Sequence, residues 1–308
     1  MRRTAIFAHY DKDNKIEDYV IYYLRGLSQV ADKIVFVSDC DLEAEELKKI
    51  SELTINNIVG RHGEYDFGSY KRGFMYCSTQ RLLLDCEELI FANDSCYAPL
   101  YPVEEMFSEM RDENIDFWGA TENLFGLKRL VDEKGRDKVA AIYRPHIQSY
   151  FVVLRTGVFE SEPFKAFIEN IRQEDNKIDI IIKYELGLTS CLREAGFTYR
   201  AYARRYENSL NIHVELWRRL FRERLPFIKT SVLRLVNLES GVLPIGWEKE
   251  IGENSSYPVE LIKLDLKKNK KHINFVTWIQ VIRKWLISIN MRKNKITICG
   301  KIFQIKKK

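Results

Sequence analysis

The feature that most limits how this chain can fold is a unit repeated through its first third: a short apolar run ending in polar side chains, then a stretch of helical periodicity. The apolar runs are TAIFAHYD (Thr4–Asp11), KIVFVSDCD (Lys33–Asp41), INNIVGR (Ile55–Arg61) and ELIFAND (Glu88–Asp94). Between the first two, Ile16, Tyr19, Val20, Tyr23, Leu24 and Leu27 recur at helical spacing. Residues 42–53 form a charged amphipathic stretch and residues 66–84 a glycine-bearing one. Strands apolar on both faces, alternating with helices, predict a parallel sheet covered on both sides. Ligands of such sheets bind at the carboxyl ends of the strands. Polar residues gather there: His9, Tyr10 and Asp11; Ser38 and Asp39; Asp66; Asn93, Asp94 and Ser95.

The pattern continues with a helix over residues 102–113, a short strand in IDFWGATEN (Ile115–Asn123) and a charged stretch around Lys128–Lys138. A strand over Gln148–Thr156 follows, then helices in SEPFKAFIENI and KYELGLTSCLREAG, the second stopped by Gly196 with Arg193 in its last turns. TYRAYA (Thr198–Ala203) reads as one more strand.

Charge divides the chain. Residues 206–308 hold 21 Lys and Arg against 9 Asp and Glu, whereas residues 1–205 hold 28 against 35. An acidic body over 1–205 with a basic appendage over 206–308 is the expected organisation, the appendage meeting an anionic partner. Two stretches of that region, ELWRRLFRERLPFIKTSVLRL and INFVTWIQVIRKWLISINMRK, alternate apolar or aromatic residues with Arg and Lys. In the second, Trp278, Ile279, Ile282, Trp285, Leu286 and Ile289 stand beside Arg283, Lys284, Arg292 and Lys293, the composition of a helix lying on anionic lipid. A helix packed on the body with its cations in water has the same composition. Nucleic acid is not an expected partner, because no recognition motif accompanies the charge.

No apolar run reaches the roughly 20 residues that span a bilayer, and MRRTAIFAHYDK meets charge too soon for a signal peptide. The six cysteines, Cys40, Cys77, Cys86, Cys96, Cys191 and Cys299, form no CxxC pair, which argues against structural zinc and disulfides. A cytoplasmic address is expected.

Four segments could carry chemistry. In YDFGSYKRGF, Gly68 and Gly73 permit close backbone approach at a helix start that favours phosphate, with Lys71 and Arg72 as contacts or as surface charges. In FANDSCY, Asp94 could hold a divalent ion or a ribose, although an Asx turn closing the strand accounts for the same residues. In YELGLTSCLREAGF, Glu185 stands near a helix start whose dipole would keep it ionised, as a general base requires. A solvated first-turn Glu would look the same. In RPHIQSYFVVL, His146, Gln148 and Ser149 could contact a polyol, or His146 could make a structural hydrogen bond.

Taken in order, these segments resemble the running order of a GT-A glycosyltransferase. With DFWGATEN added, YDFGSYKRGF, FANDSCYAPL, HIQSYFVVL and YELGLTSCLREAGF resemble the rhamnan synthesis protein F family over roughly residues 3–235. The resemblance implies an α/β fold: a GT-A-like, Rossmann-type, mostly parallel sheet flanked by helices, with a mainly helical basic C-terminal region. It implies a bacterial glycosyltransferase, typically moving L-rhamnose from dTDP-L-rhamnose to a lipid-linked cell-surface polysaccharide such as O-antigen, at the inner face of the cell membrane. It implies that His9, Tyr10, Asp11 and Asp39 hold the nucleotide. Asp66, Gly68, Lys71, Asn93, Asp94 and Ser95 would border the diphosphate. Trp118 and Gly119 would form a sugar and acceptor wall, His146 and Gln148 would orient hydroxyls, and Glu185 would be the base of an inverting displacement. Asp94 would hold Mg²⁺ or Mn²⁺, but Asn93-Asp94-Ser95 supplies one carboxylate where two are common, which argues against tight metal binding. A transferase of another nucleotide sugar or of a sugar phosphate, or a non-catalytic binding subunit, would share most of this pattern.

Overall fold

The computed structural model describes residues 1–132, 135–207, 209, 211–235 and 244–269, with the backbone of 295–298 and 301–304. The first third folds as its periodicity predicts. In chain order come β1 (Arg3–His9), α1 (Asp18–Leu27), β2 (Lys33–Ser38), α2 (Ala44–Lys48), β3 (Asn56–Val59), α3 (Tyr65–Thr79) and β4 (Glu88–Asn93). Next are β5 (Cys96–Tyr97), α4 (Val103–Met110), β6 (Phe117–Gly119), β7 (Glu122–Val131), β8 (Asp137–Ile147) and β9 (Phe151–Arg155). Helices α5 (Thr156–Phe159), α6 (Glu162–Glu169) and α7 (Lys177–Ile180) lead through a π-helical turn, Ile181–Glu185, into α8 (Leu186–Glu194) and then β10 (Tyr199–Ala201). The rest comprises α9 (Ile212–Glu215), α10 (Trp217–Arg222), β11 (Ile228–Lys229), α11 (Thr230–Leu233), α12 (Trp247–Asn254), α13 (Val259–Asn269) and the paired strands β12 (Lys295–Ile298) and β13 (Lys301–Gln304).

The central sheet has seven strands in the order β10-β6-β9-β4-β1-β2-β3. Only β9 runs against the others, pairing antiparallel with both β4 and β6. This is the mostly parallel, helix-flanked α/β sheet expected. Side chains alternate across it with period two. Ala5, Phe7, Phe36, Ile90 and Val153 enter one apolar cluster, while Ile6, Ala8, Val35, Phe91 and Leu154 enter the other. The first cluster lies under α1 and α4, the second under α3, α6 and α8.

Two local expectations change. The charged stretch around Lys128–Lys138, to which the sequence pattern assigns no element, lies in the β7–β8 hairpin, whose register runs from Glu122↔Ile147 to Val131↔Asp137. Its outer half is exposed on both faces, so no apolar alternation marks it, and an Asp132–Arg136 contact closes the turn (Arg136 Nε to Asp132 Oδ2, 2.8 Å). Glu185 does not open a helix: α7, the π-turn and α8 form one helical run with Glu185 inside it (φ −64°, ψ −53°). That carboxylate therefore does not sit at the positive end of a helix dipole.

The core continues across residue 205. Ile212, Trp217, Phe227, Val232, Ile251 and Ile262 join the same cluster as Tyr23 and Phe151. Strand β11 pairs antiparallel with β5, next to the end of β4. Trp278 to Ile289 and the cations beside them, as well as Cys299, lie outside the described residues. Among the described residues, no helix is long and apolar enough to cross a membrane, and Cys40, Cys77, Cys86, Cys96 and Cys191 are free thiols.

Candidate active site

Strand order reverses at β1: the chain moves outward through β2 and β3, then returns to place β4 on the other side of β1. The chain therefore leaves the adjacent carboxyl ends of β1 and β4 in opposite directions along the sheet, and a crevice opens there. A cavity of about 1060 Å³ occupies it. His9, Tyr10 and Asp11 reach it from β1, Asp39 from β2, Tyr65, Asp66 and Ser69 from α3, and Asp94 and Ser95 from β4. The hairpin and the segment after it contribute Asn123, Phe125, His146, Gln148 and Ser149, and the helical run contributes Lys177, Ile181 and Glu185. From beyond residue 205 come Asn211, His213, Lys229, Thr230, Ser231 and Arg234.

The β1 and β4 ends are tied together directly. The backbone N–H of Tyr10 donates to Asp94 Oδ2 at 2.8 Å, and His9 Nε2 lies 4.0 Å from the same oxygen. Burial raises the Asp94 carboxyl to about 7, against the Tyr10 hydrogen bond that pulls it down. Burial likewise raises Asp66, with Lys229 opposing and Glu185 reinforcing the shift. His9 is pushed the other way, to about 4, by burial of its ring. Its Nδ1 meets Ser38 Oγ at 3.0 Å.

Asp39 is committed to the chain: it accepts from His62 N at 2.6 Å and Gly63 N at 3.0 Å, fixing the loop that leads into α3. Asp11 Oδ1 accepts from Asp13 N at 2.9 Å and Lys15 N at 3.1 Å, closing the turn after β1. His146 Nδ1 sits 2.8 Å from the Arg144 carbonyl. A carbonyl only accepts, so Nδ1 carries the proton and neutral His146 keeps its lone pair on Nε2. Burial lowers the His146 pKa, and Glu185 is the largest influence raising it. Glu185 Oε1 accepts from Ser149 N at 3.5 Å.

His9, Tyr10, Asp11, Asp39, Asp66, Asp94, Ser95, His146, Gln148 and Glu185 thus share one cavity. Five other residues expected in the site stand elsewhere. Trp118 is fully buried between Phe107 and Phe151, at ring separations of 5.0 and 6.1 Å, so it presents no face to a sugar. Gly119 is a packing residue: a Cβ there would lie 2.2 Å from Ile147 Cγ2 and 2.9 Å from the Phe151 carbonyl oxygen. Gly68 lies against Glu64 and His62 inside α3, and Gly73 lets that helix rest on Ile6. Lys71 turns away from the cavity and donates to the Ile171 carbonyl at 2.8 Å. Asn93 is buried behind the wall, where its Nδ2 donates to Asp66 Oδ2 at 2.7 Å.

The residues missed by sequence reasoning are mainly His213, Lys229 and Arg234. LPFIKTSVLR follows a basic amphipathic stretch, and nothing in the local pattern separates its two cations from that solvated charge.

Among the described residues, no group of three or more His, Cys, Asp or Glu side chains could hold a metal. A small divalent ion that keeps waters and binds substrate phosphates needs only one or two carboxylates. Asp94 and Asp66, both partly buried, both lining the cavity and both with raised pKa values, fit that lesser requirement.

No curated protein matches the chain significantly. Solved structures are similar at low identity. A cytidylyltransferase from Leptospira borgpetersenii serovar Hardjo-bovis is 11% identical with a TM-score of 0.42, covering 89% of this chain and 99% of that one. Core-mannan synthase A from Aspergillus fumigatus, in a Mn/GDP form, is 10% identical with a TM-score of 0.34, covering 61% and 69%. The sequence itself is decisive: the model of rhamnan synthesis protein F matches residues 34–306, so the chain belongs to the rhamnan synthesis protein F family.

Proposed function

We propose that this chain is a glycosyltransferase that moves a sugar, L-rhamnose from dTDP-L-rhamnose, onto a hydroxyl of a lipid-linked glycan. Family membership supports the reaction class. The observation that carries the site is the placement of Glu185 in the same crevice as Asp66 and Asp94, at the point where strand order reverses.

The nucleotide would lie across the ends of β1 and β2, with its diphosphate toward Asp66, Asp94 and Ser95. Glu185 takes the proton of the acceptor hydroxyl, the oxygen attacks the anomeric carbon, and the bond from that carbon to the diphosphate breaks. Electrons of the broken bond leave with the nucleoside diphosphate, and the anomeric centre inverts. His146, neutral with Nε2 as acceptor, orients a hydroxyl beside Glu185. Asp94 and Asp66 would hold a divalent ion, which supplies charge neutralisation at the leaving diphosphate. The wall on the acceptor side is the β7–β8 hairpin, through Phe125 and Leu127, in place of Trp118.

Glu185→Gln keeps the side chain's shape and removes the base. Sugar transfer should fall by about 10²–10⁴ in kcat with donor affinity retained. Near-normal turnover of that variant removes Glu185 from the mechanism. Transfer at full rate in excess EDTA removes the ion. The basic region beyond residue 269 would bring the enzyme to an anionic membrane holding the acceptor. Vesicle co-sedimentation with and without residues 270–308 tests that placement.

A further inference from the structure

We propose that Lys229 and Arg234 form a cationic clamp for the diphosphate of the donor, and that buried Asp265 positions Arg234 within it. The clamp rests on the nucleotide-sugar reading above, but it is tested separately from sugar transfer.

Lys229 ends β11, and its register partner is Cys96, two residues after Asp94. Its ammonium donates to Ser95 Oγ at 2.7 Å and stands 4.4 Å above the Tyr150 ring. Both contacts are uncharged. A hydroxyl and a ring face orient this half-buried cation without pairing it; its charge is felt by Asp66, which lines the same cavity without an ion pair to it, and a cation so placed favours an anionic ligand there.

Arg234 approaches from the end of α11. Its Nε and Nη2 bind Asp265 Oδ2 and Oδ1 at 2.8 and 2.6 Å, a bidentate pair that fixes the guanidinium plane. Asp265 belongs to α13, is 1% exposed, and also accepts from the Tyr97 hydroxyl. Tyr19 joins this network to the donor end of the sheet: its hydroxyl lies 3.4 Å from Arg234 Nη2 and donates to the Asp94 carbonyl at 3.1 Å. Arg234 thus reaches the cavity with its carboxylate partner on the protein side, while Asp94 in the cavity is held by Tyr10. A rigid guanidinium beside a flexible ammonium matches the oxygens of a diphosphate, one by fork geometry and one as a point charge. Both cations and their anchor, Lys229, Arg234 and Asp265, come from beyond residue 205, in β11, at the end of α11 and in α13.

The probe is inorganic pyrophosphate, titrated calorimetrically into the full chain. Wild type should bind it, with affinity falling as salt rises. Lys229→Met and Arg234→Met should each weaken binding tenfold or more, and Lys229→Arg should restore most of it. Asp265→Asn should weaken binding in the wild-type background and add little to Arg234→Met, a non-additivity that a merely structural role would not produce. Lys229→Met changes one half-buried side chain and carries the test where Arg234 or Asp265 variants fail to fold. Absence of pyrophosphate binding to wild type, or unchanged affinity in Lys229→Met, overturns the clamp. If sugar transfer proceeds while affinity is unchanged, the clamp alone is lost. If pyrophosphate binding depends on both cations while no sugar is transferred, the clamp stands and the glycosyltransferase reading falls.

Discussion

Asn93, the last residue of β4, donates its side-chain N–H to Asp66 Oδ2 in the first turn of α3, at 2.7 Å. The second carboxylate that the Asn-Asp-Ser sequence lacks is therefore supplied in space, from a helix that starts 28 positions before Asn93. An amide fits there because an acid is already present, and a further carboxylate against Asp66 would repel it.

Asn93→Ala should show what this bridge contributes. Asp66 would lose a donor in a partly buried setting, and Ser95, whose N–H donates to Asn93 Oδ1 at 3.1 Å, would lose its turn partner. Stability should fall by about 1–3 kcal/mol, and nucleotide affinity with it, because Ser95 also holds Lys229. Thermal melting and nucleotide titration check both. An unchanged melting temperature would show that the bridge is not formed.

Much of this arrangement is legible in the sequence, because strands apolar on both faces announce a covered parallel sheet and polar residues at their ends announce a crevice. His9, Asp39 and Asp94 could be placed in that way, whereas Glu185 is expected at a helix start that the structure does not have. The β7–β8 hairpin could not, since its exposed outer half carries no period-two apolar signal. Trp118 illustrates the opposite failure: an aromatic beside glycine resembles a sugar platform, and only the packing of Phe107 and Phe151 reveals a core position. Lys229 and Arg234 were hidden because a charge's role depends on which partners the tertiary fold leaves it.

Trp118→Phe tests the core assignment. The indole Nε1 is buried without a hydrogen-bond partner, so the change removes an unpaired donor while it opens a small void. These effects oppose each other at about 1–3 kcal/mol each, and the net change in stability should be small. KM for donor and acceptor should stay within about twofold, since the ring does not line the site cavity. A large rise in KM with an unchanged melting temperature would return Trp118 to the sugar wall.

His213 gives the fold a pH dependence whose sign can be worked out. Its Nδ1 contacts Gln148 Oε1, which also accepts from Thr121 Oγ1 at 2.8 Å, so Nδ1 bears the proton of a neutral ring. Burial, then Lys229 and His146, hold its pKa well below the usual 6.5. On acidification the unfolded chain takes up a proton at this residue and the folded chain does not. Stability from this group is therefore complete above about pH 6.5 and is lost as pH falls, by up to about 1.4 kcal/mol per pH unit. Burial lowers His9 and His146 as well, so they add to the slope with the same sign. His213→Gln keeps a donor for Gln148 and cannot titrate. Urea unfolding of both proteins between about pH 7 and about pH 5 should show the variant losing stability less steeply, by one proton's contribution. Parallel slopes would mean that His213 takes up its proton as readily in the folded chain as in the unfolded one, so that burial and the Lys229 charge do not hold its pKa down.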